Sequence, residues 1–121
     1  MTLEIATNWI DIAAAAAPQG GAFIDGAYVS AVSGETVDNR SPIDGRVLNR
    51  IAEGTEADVD LAVAAARRAF EDGRWSAAAP RQRKKVLTAF VAAIRRDRER
   101  LATILTADTG KPITASLGEV D

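Results

Sequence analysis

A chain of 121 residues with 17 acidic and 15 basic side chains amounts to one domain or part of one, at about 100–200 residues per domain. It contains no Cys and no His, which excludes a thiol nucleophile, an imidazole base, a disulfide framework and a Cys/His zinc site. Ala supplies 25 residues and Ile, Leu, Val and Phe together 28, so the 47% hydrophobic content overstates what a core can bury.

In chain order, Leu3, Ile5, Trp9, Ile10 and Ile12 lead into the run Ala13–Ala17. Alanine is the strongest helix former, so a short amphipathic helix is predicted over 3–17, ended by Pro18 and Gly20-Gly21. Phe23-Ile24 and Tyr28-Val29 flank Asp25-Gly26, a turn pair that accepts positive φ, and this predicts a hairpin. A second extended pair is predicted over Thr36–Arg40 and Val47–Ala52. Pro42 and Gly45 supply the turn between them.

After Gly54 the hydrophobic period changes from two to that of a helix. Thr55 reads as an N-cap with Asp58 three positions on, and Val59, Ala62, Val63, Ala66 and Phe70 follow at helical spacing up to Gly73. Pro80 suits a first helical position, and Leu87, Phe90, Val91 and Ile94 form the next stripe. Asp97-Arg98-Glu99-Arg100 interrupts that stripe, which resumes at Leu101, Ile104 and Leu105 and stops at Gly110 and Pro112. Ile113, Leu117 and Val120 begin one more helix, which reaches Asp121 without a closing signal. The chain therefore reads as a fragment of a longer protein.

Charge is divided along the chain. Residues 1–60 carry 10 acidic and 3 basic side chains, whereas residues 61–121 carry 7 acidic and 12 basic. The basic helices, Arg81–Lys85 and Arg95–Arg100, leave open a non-enzymatic interaction module acting on nucleic acid or an acidic partner. Only Phe90 interleaves with those cations, and it falls on the apolar stripe, so base stacking is not offered and nucleic acid is not the expected partner. Glu4 and Asp11 stand where a secretory leader would be basic, and the charge-free run Ile12–Ile24 is broken by Pro18, Gly20 and Gly21. No membrane span is expected, and the cytoplasm is the expected compartment.

Two residues invite chemistry. Asp108 follows Ile104 and Leu105 on what reads as a buried stripe, at a helix C-terminus whose dipole opposes a carboxylate. It needs a partner: Lys111, a backbone N–H of the following turn, or a bound cation, with a turn-capping Asp as the plain alternative. Lys111 could serve as a catalytic amine, but nothing predicts the burial beside other cations that would perturb it. It reads as a favourable cation after a helix end.

The collinear series resembles the opening of an aldehyde dehydrogenase. It runs through Phe23-Ile24-Asp25-Gly26, Ser41-Pro42-x-Asp44-Gly45, Ala52-Glu53-Gly54 and Asp58-Val59-Asp60-x-Ala62-Val63. It continues with Gly73-x-Trp75-Ser76, Pro80-x-x-Arg83-x-x-x-Leu87 and Leu101-Ala102-x-x-Leu105-x-x-Asp108-Thr109-Gly110-Lys111-Pro112. Gly73-Arg74-Trp75-Ser76 and Arg83–Leu87 look most like the members acting on γ-glutamylaminobutyraldehyde and similar aminoaldehydes.

The resemblance implies a mainly helical α+β fragment of the α/β aldehyde dehydrogenase fold, part of the scaffold of the coenzyme-binding domain. Residues 1–21 would form an N-terminal helix and linker, 22–54 the β-hairpins, and 55–121 the helices. It implies NAD(P)-dependent oxidation of an aldehyde to a carboxylate through a Cys thiolate, an oxyanion site and a Glu base. No catalytic or coenzyme-binding residue of that set is in this chain. The implied partners are the rest of the dehydrogenase polypeptide and its aldehyde, within a homodimer or homotetramer. One site carries over: a monovalent cation held by the backbone carbonyls of Asn39 and Arg40 and the carboxylate of Asp108. Ser41 departs from the Asn that usually precedes the Pro in the family.

Overall fold

The computed structural model describes residues 7–16 and 18–121. Helix α1 runs Trp9–Ala15, hairpin strands β1 and β2 run Ala22–Ile24 and Ala27–Val29, and β3 and β4 run Thr36–Arg40 and Val47–Ala52. Four helices follow: α2 Glu56–Glu71, α3 Pro80–Arg96, α4 Arg98–Thr109 and α5 Ile113–Val120. The result is a mainly helical segment with two small antiparallel two-stranded sheets.

Local chemistry sets most of these boundaries. Asp25 and Gly26 adopt φ of 52° and 83°, the two positive values the first hairpin requires, and Phe23 pairs with Tyr28 across it. Their rings meet edge to face at 5.1 Å. Pro80 opens α3, and Gly110 ends α4 in the left-handed conformation at φ 75°. Helix α1 begins later than the sequence predicts. Asn8 caps it by accepting from the Ile10 and Asp11 N–H groups, and the helix stops at Ala15. The predicted residues 3–6 and Ala17 lie outside those described.

Helices α1 and α5 both pack on α4, and α2 packs on β1. The α4–α5 contact is built from small groups. Ala102 and Ser116 are fully enclosed, and the Ser116 hydroxyl is 2.8 Å from that of Thr106. The chain entering the first hairpin crosses β4 so closely that a β-carbon on Gly20 would lie 1.8 Å from the Arg50 carbonyl oxygen. Only glycine permits that approach, which the Ala52 N–H secures by donating to the Gly20 carbonyl at 2.7 Å.

The core these contacts enclose is thin. Among the described residues the buried apolar side chains are Ala31, Ala65 and Ala102, while Phe70 and Phe90 are 63% and 62% exposed. A folded monomer of 12.8 kDa has an accessible surface of about 6,300 Å². This chain has 9256 Å², so roughly 3,000 Å² more than that relation gives stays in contact with solvent. The α3 stripe that the periodicity marks as core therefore has no cover within these residues: Leu87, Phe90 and Val91 all stand exposed.

One polar clasp ties the hairpin region to the helices. The Asp58 carboxylate, 5% exposed, accepts from the Thr55 N–H and hydroxyl, each at 2.8 Å, and from the Val32 N–H at 2.8 Å. The Thr55 N–H is its strongest stabilising contact, Val32 the next, and together they hold its pKa below the ordinary 3.8. A depressed carboxylate contributes stability above its unfolded pKa and loses it as pH falls through the lower folded value. Hydrogen exchange at the Val32 amide should therefore be pH-regular down to about pH 4, once intrinsic rates are divided out, and accelerate below it. In Asp58→Asn the amide should exchange about tenfold faster already at neutral pH. Unchanged protection in that variant would show that the clasp is incidental.

Candidate functional site

The sequence singles out Asn39, Arg40 and Asp108, and the structure brings two of their side chains together. Asn39 sits on β3 where the register with β4 is irregular, since Asn39 pairs with Asn49 but Arg40 pairs with Val47. Asp108 lies in the last turn of α4, and Gly110 turns the chain against the β3–β4 loop. There a β-carbon on Gly110 would be 3.2 Å from the Pro42 ring. This docking carries the α4 terminus to the strand. Asn39 Nδ2 donates to Asp108 Oδ1 at 2.7 Å across 69 positions of sequence.

The same amide nitrogen donates to Asn49 Oδ1 at 3.2 Å, and Asn49 Nδ2 donates to the Pro18 carbonyl at 3.3 Å. A chain of side-chain amides thus links α4, both strands and the segment after α1. Asn49 is the member that sequence reading misses. Its signal was there, because Asn39 and Asn49 face each other across an antiparallel pair, which places both side chains on one face.

One expectation for Asp108 is corrected, and one of its candidate partners is taken elsewhere. It is exposed rather than buried, because the last turn of α4 meets an amide and open space instead of apolar side chains. Nor does Lys111 pair with it, since the Lys111 ammonium reaches Glu119 at 2.5 Å on α5. The Asp108 partner in this structure is the Asn39 amide. The Arg40 side chain turns elsewhere, to Asp38 at 2.7 Å and the Gly45 carbonyl at 3.3 Å.

The remaining charges are mostly local. On α3, Arg81, Lys85 and Arg95 fall away from Phe90 by helical spacing, whereas Lys84 lies beside Leu87 and Val91. Arg96 pairs with its neighbour Asp97 at 2.8 Å. No group of three or more Asp, Glu, His or Cys side chains that could hold a metal ion occurs among the described residues. No described helix is long and apolar enough to cross a membrane.

The described residues thus form a helical layer on two short hairpins, with the Asn39–Asp108 pair joining β3 to α4. Comparison with known proteins places it. The model of the aldehyde dehydrogenase family matches residues 28–121, and the chain belongs to that family.

It is 40% identical over 109 residues to the NADP/NAD-dependent aldehyde dehydrogenase PuuC of Escherichia coli, covering 90% of this chain and 22% of that protein. Aminoacetaldehyde dehydrogenase of Pseudomonas aeruginosa is 41% identical over 92 residues, 76% of this chain and 18% of that protein. In three dimensions the chain superposes with a TM-score of 0.88 on the crystal structure of γ-glutamyl-γ-aminobutyraldehyde dehydrogenase from Burkholderia cenocepacia. The two are 48% identical, over 91% of this chain and 22% of that one. The chain therefore spans about a fifth of the length of these relatives.

Proposed function

We propose that this chain is the scaffold segment of an NAD(P)-dependent aldehyde dehydrogenase that oxidises an aldehyde, of the aminoaldehyde class, to a carboxylate. The observation that carries this reading is family membership over residues 28–121 in a chain without Cys. Attack on an aldehyde through a thioester needs a thiolate. The bond-making residues therefore belong to polypeptide beyond these 121 residues. The substrate class is supported by the likeness to enzymes named for aminoacetaldehyde and γ-glutamyl-γ-aminobutyraldehyde.

The coenzyme supplies the hydride acceptor when bound. This chain has no glycine-rich pyrophosphate loop, so none of its residues is assigned to the coenzyme. What the chain contributes is surface and position. Residues 1–21, 22–54 and 55–121 serve as the helix with its linker, the hairpins and the helices of the coenzyme-binding domain. The excess exposed area is of the size that obligate interfaces bury, about 2,000–5,000 Å², which supports completion by further polypeptide; the complete enzyme is proposed as a homodimer or homotetramer. Purified to homogeneity and given an aldehyde with NAD or NADP, the chain alone should form no reduced coenzyme. Sustained aldehyde-dependent reduction would refute the reading.

Asn39, Arg40 and Asp108 form the second part of the proposal. The Asn39 and Arg40 backbone carbonyls with the Asp108 carboxylate hold a monovalent cation, for which an all-oxygen donor set is suited. The irregular register at Asn39/Arg40 is compatible with carbonyls released from the ladder. The Asn39 N–H on Asp108 Oδ1 leaves Oδ2 as the oxygen for the ion. In the complete protein, exchanging potassium for tetramethylammonium should lower thermal stability. Asp108→Ala should lose most of that difference, while Lys111→Ala, whose pairing lies with Glu119, should keep it. Equal potassium responses in wild type and Asp108→Ala would remove the cation role.

A further inference from the structure

A shallow depression on α3 is lined by Pro80, Arg83, Lys84, Leu87, Thr88 and Val91. It belongs to the apolar stripe that nothing among the described residues covers. Arg83 precedes Leu87 by four positions, Phe90 by seven and Ile94 by eleven, so helical spacing sets a guanidinium in the middle of that stripe. Lys84, three positions before Leu87 and seven before Val91, stands at its edge.

A cation in the middle of an apolar face calls for a partner. Arg83 is half-buried already, while Leu87, Phe90 and Val91 around it are exposed. Helix α3 carries six basic and no acidic side chains. Its opening turns also hold Arg81, Arg83, Lys84 and Lys85 against the positive end of the helix dipole. Among the described residues Arg83 has no ion pair. Laying a purely apolar cover over the stripe would strip the remaining water from this guanidinium and leave a buried charge uncompensated.

We propose that the polypeptide covering α3 carries an Asp or Glu whose carboxylate accepts two N–H groups of Arg83, with Lys84 beside it at the rim. This rests on the chain being one segment of a dehydrogenase, and it adds the chemistry of the covering surface. That surface is apolar over Leu87, Phe90 and Val91 and acidic at one point. The planar guanidinium fork matches a carboxylate in two parallel hydrogen bonds, which fixes register as well as contact.

Arg83→Met in the complete protein tests the pair, with thermal melting followed at pH 8 and pH 5. Methionine keeps an apolar stem there but leaves the partner carboxylate enclosed and alone. The pKa of such a carboxyl rises above its unfolded value, so the folded variant takes up a proton and regains stability as pH falls. Lys84 is the one other titratable group that lines the depression among the described residues. The variant should melt about ten degrees below wild type at pH 8 and recover roughly half of that gap or more at pH 5. Arg83→Lys, which keeps the charge, should show a smaller gap that does not close on acidification. If Arg83→Met fails to assemble at pH 8, assembly restored at pH 5 supports the pair, and failure at both values overturns it. A variant as stable as wild type, or a gap equal at both pH values, would also overturn it: the guanidinium would then reach water past the rim or serve packing alone. Phe90→Asp, measured alongside, separates the two readings. If it is tolerated, α3 has no cover and the segment reading fails; if it disrupts the protein while Arg83→Met does not, only the acidic partner is lost.

Discussion

Phe90→Asp should have opposite effects in two settings. In the 121-residue chain by itself Phe90 is 62% exposed, so a charge there removes apolar surface from water and should raise solubility with little change in helix content. If the chain is one segment of a complete dehydrogenase, the same position should lie under further polypeptide there. The substitution then combines the loss of a buried Phe, about 3–5 kcal/mol for Phe→Ala in a core, with burial of an unpaired charge. That should abolish assembly or lower the melting temperature by ten degrees or more. Solubility of the isolated variant and thermal melting of the complete one read both signs. A complete protein that tolerates Phe90→Asp would mean that the α3 face stays wet. Lys85→Asp, on the opposite face of α3, is the control and should be tolerated in both settings.

The isolated chain itself should behave as an incomplete fold. With Ala31, Ala65 and Ala102 as the buried apolar side chains among the described residues and roughly 3,000 Å² of surplus surface, it has little hydrophobic gain to set against the cost of ordering the chain. It should retain helical far-ultraviolet circular dichroism, melt with a broad transition and grow in size with concentration by light scattering. Adding the covering polypeptide should sharpen the transition, because a partner that binds the folded form stabilises it by mass action. A sharp, concentration-independent melt of a monomer would contradict this.

Features legible in the sequence were those decided within a few residues. Asp25-Gly26 dictates its turn through the φ values it tolerates, Pro80 opens a helix where its missing N–H is harmless, and Gly110 closes one. The family, too, was readable, because the spacing of such local signals is collinear over about a hundred residues.

What failed was inference from period to burial. Leu87 and Phe90 lie on one apolar face of α3 as predicted, yet the amphipathic pattern says which side seeks cover and not whether cover is present. Asp108 shows the same gap. Its spacing from Ile104 is correct, but the neighbour that waits there is Asn39, 69 positions away, and nothing local announces it. The reach of Asp58 to the Val32 N–H was hidden likewise, since a capping residue's second oxygen is free to serve any donor that the fold supplies. Asn8 could have been read, being an N-cap residue directly before Trp9, but the apolar residues preceding it drew the predicted helix start too early.

If this chain is one structural portion of an aldehyde dehydrogenase and holds none of the reacting groups, it should complement a dehydrogenase that lacks this portion. The chain is coexpressed with PuuC polypeptide from which the segment matching residues 28–121 has been removed, and aldehyde-dependent formation of reduced coenzyme is followed. A copurifying complex with activity is expected, and none from either piece alone. Activity from the chain by itself, or two soluble pieces that neither associate nor react, would contradict it.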